Sequence, residues 1–150
     1  MKSNNQFSDA LHIVAHLVGQ PGPRTSEQLA TCLPTHPVVI RRLLAQLGKG
    51  GIVQTVRGHG GGSQLARDPA QITLLDVYRA LGSPTLLHTG AREGGRGCPV
   101  MQVVNDALDD SYRQAQALLE ARLQATTLAT LGADFAVHLA KHTSGGSHDL

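Results

Sequence analysis

Residues Thr35 to Gly62 read THPVVIRRLLAQLGKGGIVQTVRGHGGG. Val39 or Ile40, Leu43, Leu44 and Leu47 recur at helical spacing, an apolar stripe that must pack on a core. Arg41 and Arg42 fall off that stripe, beside His36 and Val38 in the first turn. Pro37 suits a first helical turn, where a backbone N–H is not needed. A helix is therefore expected over residues 36–49, ending at Gly50-Gly51. Ile52 to Val56 follows as a β-branched, partly alternating strand. Arg57 to Gly62 is a turn that only glycine-rich sequence makes tightly, and Ser63 to Arg67 returns as a shorter strand. A helix that buries one side, offers arginines on the other and runs at once into a hairpin has the pattern of a winged helix-turn-helix. Its chemistry suits double-stranded DNA.

The flanks agree with that reading. Upstream, Phe7, Leu11, Val14 and Val18 predict a first helix over residues 6–19, stopped by Gly19 and Pro21. Thr25 or Ser26 caps a second helix, Glu27–Leu33, with Gln28 or Glu27 placed for a capping box. Pro34 to Pro37 is then the turn of a helix-turn-helix whose later helix reads the groove. Downstream, Asp68-Pro69 closes the wing, and Thr73 caps a helix in which Leu74, Val77, Tyr78 and Leu81 pack back on the domain.

Residues 82–98 hold six glycines and prolines and read as a loop. From Pro99 to about Gln124 runs the longest helix. Val100, Val104, Ala107, Leu108, Ser111, Ala115, Leu118 and Leu119 give it a seam of nearly 3.5-residue period, suited to pairing with a second copy. Thr126 or Thr127 caps a last helix with Leu128, Leu131, Phe135 and Leu139 on one face. The fold class is thus mainly α with a small β-hairpin wing. A winged helix-turn-helix DNA-binding domain spans 1–81, a Gly-rich sensor loop 82–98, dimerisation helices 99–142 and a disordered tail 143–150.

Composition narrows the function. Aromatics make up 3% of the chain, with no Trp, which argues against single-stranded nucleic acid read by stacking. The net charge of +2 hides an asymmetry. Residues 20–67 carry six basic side chains against one acid, Glu27, whereas residues 98–135 carry two against five. A basic front half suits a phosphate backbone. No run reaches transmembrane length, and Asp9, His12 and His16 interrupt any signal-peptide core, so a cytoplasmic protein is expected.

The segments VVIRRLL and GGIV, then VRGHGGG, then LARDP and ITLLDVYRAL, resemble the Rrf-two family of bacterial transcriptional regulators over most of the chain. The resemblance implies a homodimer in which the long helices cross, each third helix enters a major groove of an operator and each wing reaches the adjacent minor groove. Some members hold a [2Fe–2S] cluster on three cysteines in the loop before the long helix. Only Cys98 stands at such a place here; six and twelve residues earlier are Arg92 and Leu86. One thiolate cannot hold a cluster that needs four ligands, even with His88 as a helper, so no cofactor is expected and the chain is similar to the cluster-free branch.

Candidate DNA contacts follow. Arg41 and Arg42 are placed for guanine edges or phosphates, against the plainer reading of a solvated face. Ser26, Thr35, His36 and Pro37 sit at helix entries, where capping competes with phosphate contact. Val38 and Val39 suit thymine methyls, although one of them belongs to the core. Lys49, Arg57, His59, Gly60 and Gly61 complete the set at the helix end and the wing. A nucleotide-binding loop is excluded, because no Lys-Ser/Thr follows the glycines and strand follows instead of helix.

Cys98 precedes Pro99 at the positive end of the long helix and is the candidate sensor, a thiol switch against a packed, inert thiol. Cys32 is expected to be buried. The pairs His12/His16 and His138/His142 have metal-binding spacing, yet lack a neighbouring carboxylate or cysteine and read as surface histidines. No catalytic residue is assigned. A thiol enzyme using Cys98 lacks a base partner, and a winged helix that binds only protein is the other alternative.

Overall fold

The computed structural model describes residues 5–87 and 97–144, with the side chains of 142–144 outside the description. The centre of the expected sensor loop, including His88 and Arg92, the side chain of His142 and the tail beyond Ser144 therefore lie outside the described residues.

The chain runs α1 (Gln6–Gly19), α2 (Ser26–Ala30), α3 (Pro37–Lys49), β1 (Val53–Val56), β2 (Gly62–Leu65), a 3-10 turn (Pro69–Gln71), α4 (Leu74–Ala80), α5 (Pro99–Ala125) and α6 (Leu128–Ser144). This is the expected mainly helical fold with a two-stranded antiparallel wing. The core joins Ala10, Ile13, Val14 and Leu17 of α1 to Leu29, Leu33, the α3 stripe, Ile52, Ile72, Val77 and Leu128. Ile40, Leu43 and Leu47 are fully buried, so the apolar stripe on α3 packs as its spacing requires. Phe7, Leu11 and Val18 flank the buried face of α1 instead of centring it.

Capping decides the alternatives left open by sequence. Thr25, not Ser26, starts α2: its hydroxyl accepts from Gln28 N (3.2 Å), and Gln28 Oε1 accepts from Thr25 N (2.9 Å). Thr73 and Asp76 form the same reciprocal pair at the start of α4. Thr127 Oγ1 accepts from Thr130 N in the first turn of α6.

Three expectations are corrected. Helix α2 ends at Ala30, short of Leu33, with Thr31 closing it through bonds to Gln28 and Leu29 carbonyls. That early stop sends Leu33 into the core and leaves Cys32 exposed, where a buried thiol was expected. The last helix continues to Ser144, past residue 142 where the helices were expected to end. On α4, Leu74 packs against the core as expected, and Leu75, which the apolar pattern passed over, is buried as well.

Two backbone stitches tie distant segments together. Arg24 and Ser63 exchange N–H···O bonds of 2.9 and 2.8 Å, which lays the segment after α1 along the wing. Leu74 N donates to Thr126 O, and Leu128 N to Ile72 O, so the α5–α6 junction is anchored beside α4. Helix α6 accordingly packs along α1, with Gly132 against Val18 and Phe135 against Gly19.

Helix α5 leans on the body through Leu123 and the half-buried Leu119, which meet Leu75 and Tyr78. Tyr78 is the joint of this second cluster. Its hydroxyl donates to Pro84 O (2.8 Å) and accepts from Gln116 Nε2 (3.2 Å), and its ring meets Phe7 edge-on. Leu119 therefore belongs to the packing within the chain, whereas Val100, Val103, Val104 and Leu118 are exposed.

Candidate nucleic-acid interface

One concave cleft of about 510 Å³ lies between α3 and the wing. Ser26, Arg41, Leu44, Ala45, Gly48, Lys49, Val53, Thr55 and Ser63 surround it, so three of the sequence-derived candidates, Ser26, Arg41 and Lys49, share one site. Ala45 and Gly48, four and seven residues beyond Arg41, keep its helical wall low. Sequence reasoning passed over these two, although their spacing from Arg41 marks that face, and over Thr55 and Ser63 of the strands.

Helix α3 is entered through an unusual cap. His36 Nδ1 accepts from Val38 N (3.3 Å), and Pro37 takes the first helical position. Because Nδ1 accepts, the neutral ring carries its proton on Nε2 and keeps an outward donor. Thr35 is half-buried, its own N–H committed to Leu33 O. Val38 is 59% exposed at the outer face, while Val39 packs against the core margin. Arg42 is exposed.

Arg41 has a partner that sequence did not reveal. Its guanidinium donates to Glu27 Oε1 at 2.6 Å, bridging α3 to α2 on the open surface. The Glu27 carboxyl is held below its usual range, first by a hydrogen bond from its own backbone N–H and then by the Arg41 side chain. The only acid of the basic front half thus lies against one of its leading arginines.

The wing pairs Val53 with Leu65, Gln54 with Gln64, Thr55 with Ser63 and Val56 with Gly62. Arg57, His59 and Gly60 stand exposed at its tip, with Gly61 half-buried beneath. Gly62 has φ +151°, and a Cβ there would lie 2.5 Å from the Arg24 backbone, so the stitch at the wing base requires glycine. The structure thus collects Ser26, Arg41 and Lys49 around the cleft. Arg57, His59, Gly60 and Gly61 form a separate group at the wing end, and Thr35, His36, Pro37, Val38, Val39 and Arg42 belong to the entry and outer turns of α3.

Cys98 is exposed and occupies the cap position of α5 without a side-chain cap bond. No helix among the described residues is long and apolar enough to cross a membrane.

An amphipathic helix with exposed arginines beside a basic, glycine-tipped hairpin defines the winged helix-turn-helix class. Residues 3–134 match the Rrf2 family model, described as an iron-dependent transcriptional regulator. YwnA of Bacillus subtilis, provisionally named an HTH-type transcriptional regulator, is 34% identical over 125 residues, covering 83% of this chain and 92% of its own. A Lactobacillus plantarum protein provisionally described as a transcriptional regulator superposes with a TM-score of 0.72 at 26% identity, over 97% of this chain and 100% of that one. CymR, described as the global cysteine regulator of Bacillus subtilis, shares the fold with a TM-score of 0.66 at 22% identity, over 89% and 97% of the two chains. The chain belongs to the Rrf2 family: it is a DNA-binding transcriptional regulator and not an enzyme.

The family description raises the question of iron. A [2Fe–2S] cluster takes four ligands, usually thiolates. This chain has two cysteines, one beyond α2 and one at the start of α5. Among the described residues no group of three or more His, Cys, Asp or Glu could hold a metal. Among the described residues, the side chains do not fit a cluster.

Proposed function

We propose that this regulator works as a homodimer that represses transcription by occupying an operator, with α3 in the major groove and the wing on the adjacent minor groove or backbone. The carrying observation is the cleft between α3 and β1/β2. When a helix lies in the major groove and a hairpin in the next minor groove, the sugar–phosphate strand separating the grooves must pass between them. Arg41 and Lys49 supply positive charge along that path, and Ser26 and Thr55 supply hydroxyls. Val38 and Arg42 on the outer turns then face base edges, and Arg57 and His59 reach past the strand.

Dimerisation rests on α5. Its 27 residues extend about 40 Å, yet Leu123 is its only buried side chain, and an outward row of Val100, Val103, Val104 and Leu118 is left for a second copy. Two crossed helices of that length can hold the α3 helices about 34 Å apart, one turn of B-DNA. An operator reader of this kind acts in the cytoplasm. The thiol signal is assigned to Cys98, which is exposed at the cap of α5; in this reading its oxidation or alkylation acts on the dimer helices.

The test is fluorescence anisotropy with DNA from upstream of the protein's own gene, against a scrambled duplex, over a salt series. Tight binding to the native duplex, lost in an Arg41→Ala/Arg42→Ala variant, is expected. Equal binding of both duplexes, or of parent and variant, would overturn the reader-helix assignment. A Cys98→Ser variant that still releases DNA on oxidation would remove the thiol from the scheme.

A further inference from the structure

The outward face of α1 carries a feature that DNA recognition does not use. His12 and His16 are one helical turn apart, their rings inclined at only 21° with centroids 5.0 Å apart. The two Nε2 atoms are closer still, at 3.2 Å, so the rings lean together at the corners that carry their ligating nitrogens. The opposite face of the helix, Ala10, Ile13, Val14 and Leu17, is locked in the core, which fixes the backbone beneath both rings.

A direct hydrogen bond between the rings needs one of them protonated at Nε2 and the other at Nδ1, and such an exposed bond contributes about 1 kcal/mol at most. The same 3.2 Å separation suits two nitrogens each about 2.1 Å from a shared cation, with an angle at the ion of roughly 100°, between octahedral and tetrahedral values. Neutral imidazole is the ligating form.

We propose that His12 and His16 form a two-histidine seat for a divalent first-row transition ion such as Zn²⁺ or Ni²⁺. Water completes the coordination, on the side where a cleft of about 380 Å³ opens between α1 and α6 past Leu11, Ala15 and Phe135. With two protein ligands and the Arg24 charge nearby, the site binds reversibly and not as a permanent structural metal. An ion held there clamps one turn of the helix that α3 and α6 both pack against, and so favours the folded form.

The test uses the full chain, stripped of metal and titrated with Ni²⁺ and Zn²⁺ by calorimetry and thermal melting. One ion per chain and a rise in Tm are expected. His12→Asn or His16→Asn should each weaken binding about ten-fold or more and abolish the Tm rise, with melting in metal-free buffer unchanged for the exposed His12. Cys32→Ser, Cys98→Ser and His138→Asn should bind as the parent does. Binding unaffected by loss of both His12 and His16, binding lost with either cysteine, or no binding in the submillimolar range would overturn the proposal and leave the pair as a hydrogen bond only. Because the readout involves no DNA, its failure and that of the operator-binding reading are separable.

Discussion

Arg41 meets the surface already paired, and this shapes what single substitutions should do. Its ion pair with Glu27 is exposed on both sides, at 59% and 64%, so it adds little to folding; its consequence is for DNA, because the carboxylate offsets charge at the rim of the cleft. Glu27→Gln should tighten non-specific duplex binding a few-fold and steepen its salt dependence by up to about one phosphate's worth of counterion release, as read by anisotropy. The pH dependence has a definite sign. The folded carboxyl titrates below its usual 4.5, so the pair's contribution is complete above that value and is lost as pH falls through the folded pKa. Parent and Glu27→Gln binding curves should therefore stay apart throughout the neutral range and converge only in acid. Arg42→Ala and Lys49→Ala separate two roles. The first should cost ~1–3 kcal/mol with relaxed sequence preference, the second a uniform loss across sequences with a salt slope lower by about one. Competition binding against mutated duplexes distinguishes them.

At the scale of elements, the wing is built from three pieces of chain, not two. The periodicity of residues 52–67 displays the hairpin, because each strand carries its own alternation and the glycines carry the turn. Nothing in that window announces Arg24, which pairs with Ser63 from far upstream. Gly62 is the residue on which this junction closes. Gly62→Ala should destabilise the protein by about 1–3 kcal/mol through a disfavoured φ and contact with the Arg24 backbone, measurable by urea denaturation. Helix α2 shows the opposite case. Its cap was legible as Thr25 or Ser26, but only the reciprocal bonds with Gln28 chose between them, and its early end, which exposes Cys32, depends on how Leu33 enters the core.

For the whole molecule, the division into reading head and rear helices is less sharp than residue order suggests. Leu128 is fully buried among residues of α1, α3 and α4, so the last helix begins inside the winged-helix core. Helix α5 carries an uncovered apolar row, Val100, Val103, Val104 and Leu118, and the dimer proposal rests there. Val100→Asp/Val104→Asp should give a monomer in analytical ultracentrifugation with an unchanged far-UV spectrum, and operator affinity should collapse with the loss of two-site binding. A dimer that survives the double change would place the interface elsewhere.

The chain's own letters determined the helices, the wing and the arginine-bearing face. Those depend on side chains a few positions apart, and the spacing of apolar residues records which face must be dry. Tertiary structure alone decided the Glu27–Arg41 pair, the Arg24–Ser63 stitch, the anchoring of the α5–α6 junction and the cleft that gathers Ser26, Arg41 and Lys49. Each joins residues far apart in the chain, whose meeting follows from how whole elements pack and leaves no local pattern to read.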